Sequence, residues 1–305
     1  MTAGSRGDGP SGAAASSPRR DLARLSETAA WVAGYRASES RRPDRLFNDP
    51  YAHLFASATH EQAADGTDLA SGVLVQRTVV FDEIIAQLVA DEAIDLVVNL
   101  AAGYDARPYR LDLPAALEWV EVDLPQVLER KRAVLGDAKP GCRLRSIALD
   151  LSRPSERERA LSRLAKAAGR ALVITEGILL YLEEAEAVDL AAALHRQPSF
   201  EFWLTDLMSP GARQRMNVFA QTILASFGTT LRFSPETGAD FFRAAGWEPV
   251  IARRTMLEMI RLGRGPDPEL LKRLVQLGAT NPNPAAPGAG LDGTVLFRRT
   301  AAAAS

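Results

Sequence analysis

Residues 96–113, LVVNLAAGYDARPYRLDL, decide how this chain is read. The run Leu96-Val97-Val98 is apolar and closes on Asn99-Leu100-Ala101-Ala102-Gly103. An apolar strand ending in small residues suits a buried parallel strand whose backbone approaches a ligand closely. Asp105, Arg107 and Arg110 follow and are too polar to extend that strand. Twenty residues beyond Gly103, Asp123 closes a second strand-like run, LEWVEV at 117–122. A small-residue turn after one strand and an acid ending the next form a nucleotide-handling layout.

Outward from this stretch, strand and helix signals alternate. Strands are expected near 96–101, 117–122, 143–149, 171–176, 200–206, 248–254 and 294–299. Helices are expected near 73–90, 125–135, 155–168, 184–196, 211–226, 235–245 and 267–277, and an N-terminal one near 26–40. Ser26 offers a possible capping box for the last of these, imperfect because Ala29 stands where Glu would. Such alternation predicts an α/β fold, a mostly parallel sheet with helices on both faces. Asp150, Glu176 and Asp206 end successive strands, which gathers polar groups at the ligand-binding edge of the sheet.

Residues 1–21 are rich in Gly, Ser, Ala and Pro and are expected to be a disordered tail. Residues 22–305 then form a single domain, with an N-terminal helical cap over 22–92 and a lid insertion over 207–246. The Pro/Gly/Asn stretch 278–293 reads as a surface loop.

Composition removes several function classes. The chain has 305 residues, 47% of them hydrophobic and 24% charged, ordinary values for a soluble enzyme. A net charge of −2 argues against a nucleic-acid partner. Cys142 is the only cysteine, which excludes an intrachain disulfide, and three scattered histidines (His53, His60, His195) make no zinc centre. No secretory h-region and no apolar run of about 20 residues stand out, so a cytoplasmic protein without a membrane contact is expected.

The turn itself is a poor dinucleotide fingerprint, because Ala101 and Ala106 occupy two of its three glycine positions, and no Walker A loop is present. Its neighbours are more informative. Asp123 suits the two hydroxyls of a ribose, or is a solvated strand-end acid. Asp150 suits an adenine amino group while the Leu151 amide reaches a ring nitrogen, or Asp150 caps the next helix. Glu176 suits an ammonium group or caps a strand; Arg77 suits a carboxylate or makes an ion pair on its helix. A ribose acceptor, an adenine acceptor, an ammonium partner and a carboxylate partner together describe S-adenosylmethionine rather than a dinucleotide.

The chain resembles the leucine carboxyl methyltransferase-like family of S-adenosylmethionine-dependent O-methyltransferases, above all its actinobacterial, polyketide-tailoring members. The stretches that carry the resemblance are SETAAWVAGYRASESRRPDRLFNDPYA, RTVVFD, NLAAGYDARPYRL, VEVDLPQVLERKRAVL, ALDL, ITEGILLYL and FFRAAGW, spread over about Ser26 to Phe297. It implies a class I methyltransferase (Rossmann-like) fold with a seven-stranded sheet. It also implies that Arg77, with Arg36, holds the cofactor carboxylate and that Ala101 and Gly103 pass the methionine part. Asp123 would take the ribose, Asp150 and Leu151 the adenine, and Glu176 the amino group. The family usually has Gly where this chain has Ala101, and Thr where it has Ala106.

Methyl transfer from a sulfonium is an in-line displacement, so alignment is the main demand on the enzyme. A carboxylate acceptor needs no general base, whereas a phenol with a pKa near 10 benefits from one. No histidine falls in a cleft-forming segment, which favours a carboxylate acceptor, and the resemblance implies that this carboxylate belongs to a small secondary metabolite. Tyr181 and Tyr104 are the candidates for lining the reaction centre, with packing as the alternative for each. Arg107 and Arg110 either attract an acidic substrate or pair with Asp105 or Asp112. Met208, Met216, Phe219, Phe227 and Phe233 line an acceptor pocket or form the core of the lid. Two other functions compete: a nucleotide-dependent oxidoreductase, and a cofactor-binding protein without turnover, which Ala101 makes conceivable.

Overall fold

The computed structural model describes residues 22–56, 68–219, 221, 229–279 and 292–301. The expected tail, His60, Phe227 and most of the loop at 278–293 lie outside these residues, as does the side chain of Phe219. Seven strands, β1 (Leu96–Leu100), β2 (Glu118–Asp123), β3 (Arg143–Ala148), β4 (Ala171–Thr175), β5 (Phe200–Leu207), β6 (Trp247–Arg254) and β7 (Gly293–Arg299), form one sheet. Its order is β3-β2-β1-β4-β5-β7-β6. The first five strands run parallel, and β7 runs antiparallel between β5 and β6.

β1 and β4 are buried along their whole length, because helices cover both faces of the sheet. Alternate side chains therefore enter different cores. Val98, Leu100, Val173 and Trp203 join Phe242, Trp247 and Phe297 on one face. Val97, Leu172 and Ile174 meet Phe81, Ile84, Ile85 and Leu88 of the helix Leu69–Asp91 on the other. Strand order reverses about β1, which has β2 and β3 to one side and β4 and β5 to the other. The crevice of such a sheet opens at the carboxyl end of the strand where the order turns.

Several local expectations shift. The N-terminal helix runs Leu22–Arg41, so Ser26 lies inside it and does not cap it. The expected helix at 211–226 is described as Pro210–Phe219, and the one at 235–245 is a 3-10 helix, Gly238–Ala245. A helix over Thr255–Leu262 was not expected, because it follows β6 with no turn residue between them. Its stop was visible: Gly263 closes it at φ +60. Phe233 belongs to the main core with Phe242, while Met208 and Met216 lie half-buried against Leu180, Leu231 and Tyr181. Among the described residues, no helix is long and apolar enough to cross a membrane.

Candidate functional site

The site is built from the turns that leave the carboxyl ends of β1, β2, β4 and β5. After β1 the chain turns sharply, with Ala101 at φ +55 and Gly103 at φ +50. Only glycine enters this left-handed region without strain, so Ala101 is held there by its surroundings, in part by its N–H donating to the Val122 carbonyl at 2.8 Å. A Cβ on Gly103 would stand 3.3 Å from the Ala29 Cβ, which brings the N-terminal helix against this turn.

Asp123 crosses from β2 to the same turn. Its Oδ2 accepts from the Gly103 N–H at 2.7 Å and its Oδ1 from the Leu124 N–H at 2.7 Å. Each oxygen keeps a lone pair for a further donor. Burial raises the pKa of this carboxyl, and the two amides offset part of the rise.

The ends of β4 and β5 carry a chain of ion pairs. Glu176 lies between two guanidiniums, Arg77 Nε at 3.0 Å and Arg107 Nη1 at 2.7 Å. Arg77 Nη1 also meets Asp206 Oδ2 at 3.0 Å, and Asp206 Oδ1 accepts from the Gly177 N–H at 2.6 Å. Arg107 continues the chain to Asp105 at 2.9 Å and Asp82 at 2.7 Å, and Asp82 in turn holds Arg110 at 2.7 and 2.8 Å. Burial works to raise the pKa of Glu176, but Arg107 and Arg77 more than offset it and leave the group below its ordinary value. Asp105 is likewise held far below the usual carboxylate range: burial opposes this, and the Arg107 and Lys131 charges overcome it. The Arg77 Nε contact with Glu176 is close enough for an ion pair but out of line for a hydrogen bond, so this buried N–H has no acceptor among the described residues.

The other expected residues have partners of their own. Arg36 reaches the β1 turn, donating from Nη2 to the Tyr104 carbonyl at 2.7 Å and from Nε to Asp49 at 2.9 Å. Asp150 does not cap the next helix, which starts at Pro154 after Arg153; its Oδ1 accepts from the Ser152 N–H at 2.9 Å and Oγ at 2.7 Å in the turn before it. The Leu151 carbonyl accepts from Arg157 Nη1 at 3.0 Å. Tyr104 takes the packing alternative. It stacks on Phe55 with ring centres 4.4 Å apart and lies within a cluster containing Ala30, Ala33 and Val127. The Tyr181 hydroxyl bonds Thr28 close to Arg77 and Asp206, and burial raises its pKa. His195 ends the helix Glu184–His195 with Nε2 at 3.2 Å from the Thr300 carbonyl, and His53 is exposed; neither meets the ion-pair chain.

Asp206 and Asp82 are the residues that sequence reasoning left without a role. The strand-end position of Asp206 and the RTVVFD segment that ends in Asp82 were the available signals. Arg107 pairs with Asp105 as expected, but Asp82 rather than Asp112 takes Arg110.

This donor set suits an amino-acid nucleoside. Asp123 has oxygen lone pairs left for hydroxyls, and Arg77 has a buried N–H without an acceptor. Among the described residues, no group of His, Cys, Asp and Glu could hold a metal ion.

Comparisons with known proteins bear on the family and the fold. The family model for leucine carboxyl methyltransferase matches residues 29–195. A candidate S-adenosyl-L-methionine-dependent methyltransferase of Frankia alni is 33% identical over 246 residues, covering 74% of this chain and 84% of that one. A protein of the same description from Mycobacterium marinum is 30% identical over 299 residues, covering 83% and 93%. Among solved structures, a DUF574 family protein from Streptomyces avermitilis aligns with a TM-score of 0.55 at 13% identity, covering 89% of this chain and 97% of that one. A candidate methyltransferase from Thermobifida fusca aligns with the same TM-score at 17% identity, covering 88% and 94%. At such identities these two likenesses speak for the fold alone.

Proposed function

Because this chain belongs to the leucine carboxyl methyltransferase family and is an S-adenosylmethionine-dependent methyltransferase, we propose that it O-methylates a carboxylate of a small secondary metabolite. Family membership also sets aside the oxidoreductase reading.

In this reading Asp123 accepts the ribose hydroxyls, Asp150 and the Leu151 amide meet the adenine, and Glu176 takes the amino group. Arg77, with Arg36 behind it, receives the carboxylate, and Ala101 and Gly103 line the methionine part. Bound there, the cofactor supplies a methyl group activated on a sulfonium. Tyr181, with Leu180, Leu231, Met208 and Met216 beside it, forms the acceptor wall. The cap, over 22–92, and the lid, over 207–246, border the cleft with the parts of them that are described. Tyr104 supports the β1 turn from behind. The net charge of −2 favours a small-molecule acceptor over a nucleic acid, and a cytoplasmic setting completes the proposal.

One observation carries the choice of a carboxylate. Among the described residues, the charged groups that act on Tyr181 are Arg77 and Asp206, which are paired with each other at 3.0 Å. Asp206 also accepts from Gly177, and the described histidines lie elsewhere. No group in this set is arranged to take a proton from a phenol, whereas a carboxylate arrives already ionised.

The test is methyl transfer from labelled S-adenosylmethionine to a panel of carboxylic acids and phenols. Label released by mild alkali, as from an ester, is expected. Label retained through alkali, as in an aryl ether or amine, would defeat the carboxylate assignment. Cofactor binding with no product across the panel would favour the protein without turnover.

A further inference from the structure

Among the described residues, the ion-pair chain at the ends of β4 and β5 does not balance. Arg77, Arg107 and Arg110 face Glu176, Asp206, Asp105 and Asp82, so three positive charges meet four negative ones. Two neighbouring pairs, Arg36 with Asp49 and Lys131 with Glu121, are each neutral and leave the excess untouched. Asp123 adds a negative charge of its own on the β2 side. The side chains of Arg107 and Arg110 are 3% and 4% exposed, so salt screens this charge poorly. Asp82 pairs with both Arg107 and Arg110, so Arg107 stands between Asp82 and Glu176, and Arg110 lies one pair further from the groups assigned to the cofactor.

We propose that this uncompensated negative charge distinguishes S-adenosylmethionine from its product S-adenosylhomocysteine, and that Asp82 and Arg110 are the residues that set its size. The proposal rests on the cofactor site assigned above. S-Adenosylmethionine carries a sulfonium, an ammonium and a carboxylate, one net positive charge. In the transfer the methyl–sulfur bond breaks with its electron pair left on sulfur, and a lone pair of the acceptor oxygen makes the new bond to carbon. Sulfur becomes a neutral thioether, and the product carries no net charge. A fixed negative charge beside the methionine part therefore holds the donor more firmly than the product. At about 10 Å and an effective dielectric of about 20, one unit charge alters affinity by roughly tenfold. That preference opposes product inhibition, a property the amino-acid and ribose contacts cannot supply because donor and product share them.

The test is calorimetric titration of the full chain with S-adenosylmethionine and with S-adenosylhomocysteine, without acceptor. It compares wild type, Asp82→Asn, Arg110→Gln and the double variant. The readout is the ratio of the two dissociation constants, which a general loss of packing does not move. Asp82→Asn brings the chain to neutrality, and the preference for the donor falls by roughly tenfold. Arg110→Gln makes the chain more negative, and the preference rises. The double variant restores the original charge and with it the wild-type ratio. A ratio constant within about twofold in all four proteins, or shifted the same way in both single variants, would overturn the proposal. If Asp82→Asn fails to fold, the sign of the Arg110→Gln shift decides alone. Wild type that binds neither ligand would sink the cofactor assignment itself, an outcome distinct from a constant ratio.

Discussion

Asp123 after β2 and Glu176 after β4 stand at the same edge of one sheet, both largely buried, and are held in opposite ways. Two backbone amides answer Asp123, and burial still drives its pKa up. Two guanidiniums answer Glu176, and its pKa goes down against the same burial. Glu121 falls between them. It meets a single ammonium, Lys131 at 2.5 Å, and burial still raises it. At this depth two full charges outweigh desolvation, while one charge or two dipoles do not. Asp123 is thus left with capacity for hydroxyl donors, and the character of Glu176 is set by its partners.

The heaviest blow to this arrangement is Arg107→Ala. It takes one guanidinium partner from each of Glu176, Asp105 and Asp82, and a stability loss of about 3–5 kcal/mol is expected in urea denaturation. Asp123→Ala attacks the other side. It should weaken S-adenosylhomocysteine binding by about 1.5–3 kcal/mol in calorimetry while the fold survives, and unchanged affinity would remove Asp123 from the ribose.

Acidification separates the two regions without mutation. Glu176 and Asp105 have folded pKa values below their ordinary 4.5 and 3.8, so their stabilising charge is intact above those values and is lost as pH falls through the folded ones. Asp123 titrates above its ordinary 3.8, so its charge is lost first, and that protonation costs the fold nothing. Affinity for S-adenosylhomocysteine should therefore decline at a higher pH than the circular dichroism of the fold, and coincident transitions would contradict the assignment. The smallest effect belongs to Ala101→Gly. Relief of the strained φ +55 should add about 0.5–1 kcal/mol in thermal melts, partly offset by the freer unfolded chain.

The legible parts of the sequence share a local cause. The apolar runs of β1 and β4 announce strands covered on both faces, and the alternation of elements announces a parallel sheet. Asp123, Asp150, Glu176 and Asp206 were visible as strand-end acids because strand polarity alone places them at one edge. Tyr104 was less legible, since lining a cleft and stacking on Phe55 demand the same residue type. The helix Thr255–Leu262 escaped because no turn residue separates it from β6.

By itself the sequence determined the class of fold, the edge on which chemistry gathers and the family to which the chain belongs. The first two follow from short-range patterns of apolar and small residues, and the family from longer matching stretches such as NLAAGYDARPYRL and VEVDLPQVLERKRAVL. Only the tertiary structure decided which acid meets which guanidinium. Arg77 lies 129 positions from Asp206, and Arg107 lies 69 from Glu176. Charges that far apart along the chain become partners only when the sheet brings β1, β4 and β5 side by side and burial removes the water between them. The same packing holds Ala101 in a backbone conformation that alanine on its own disfavours.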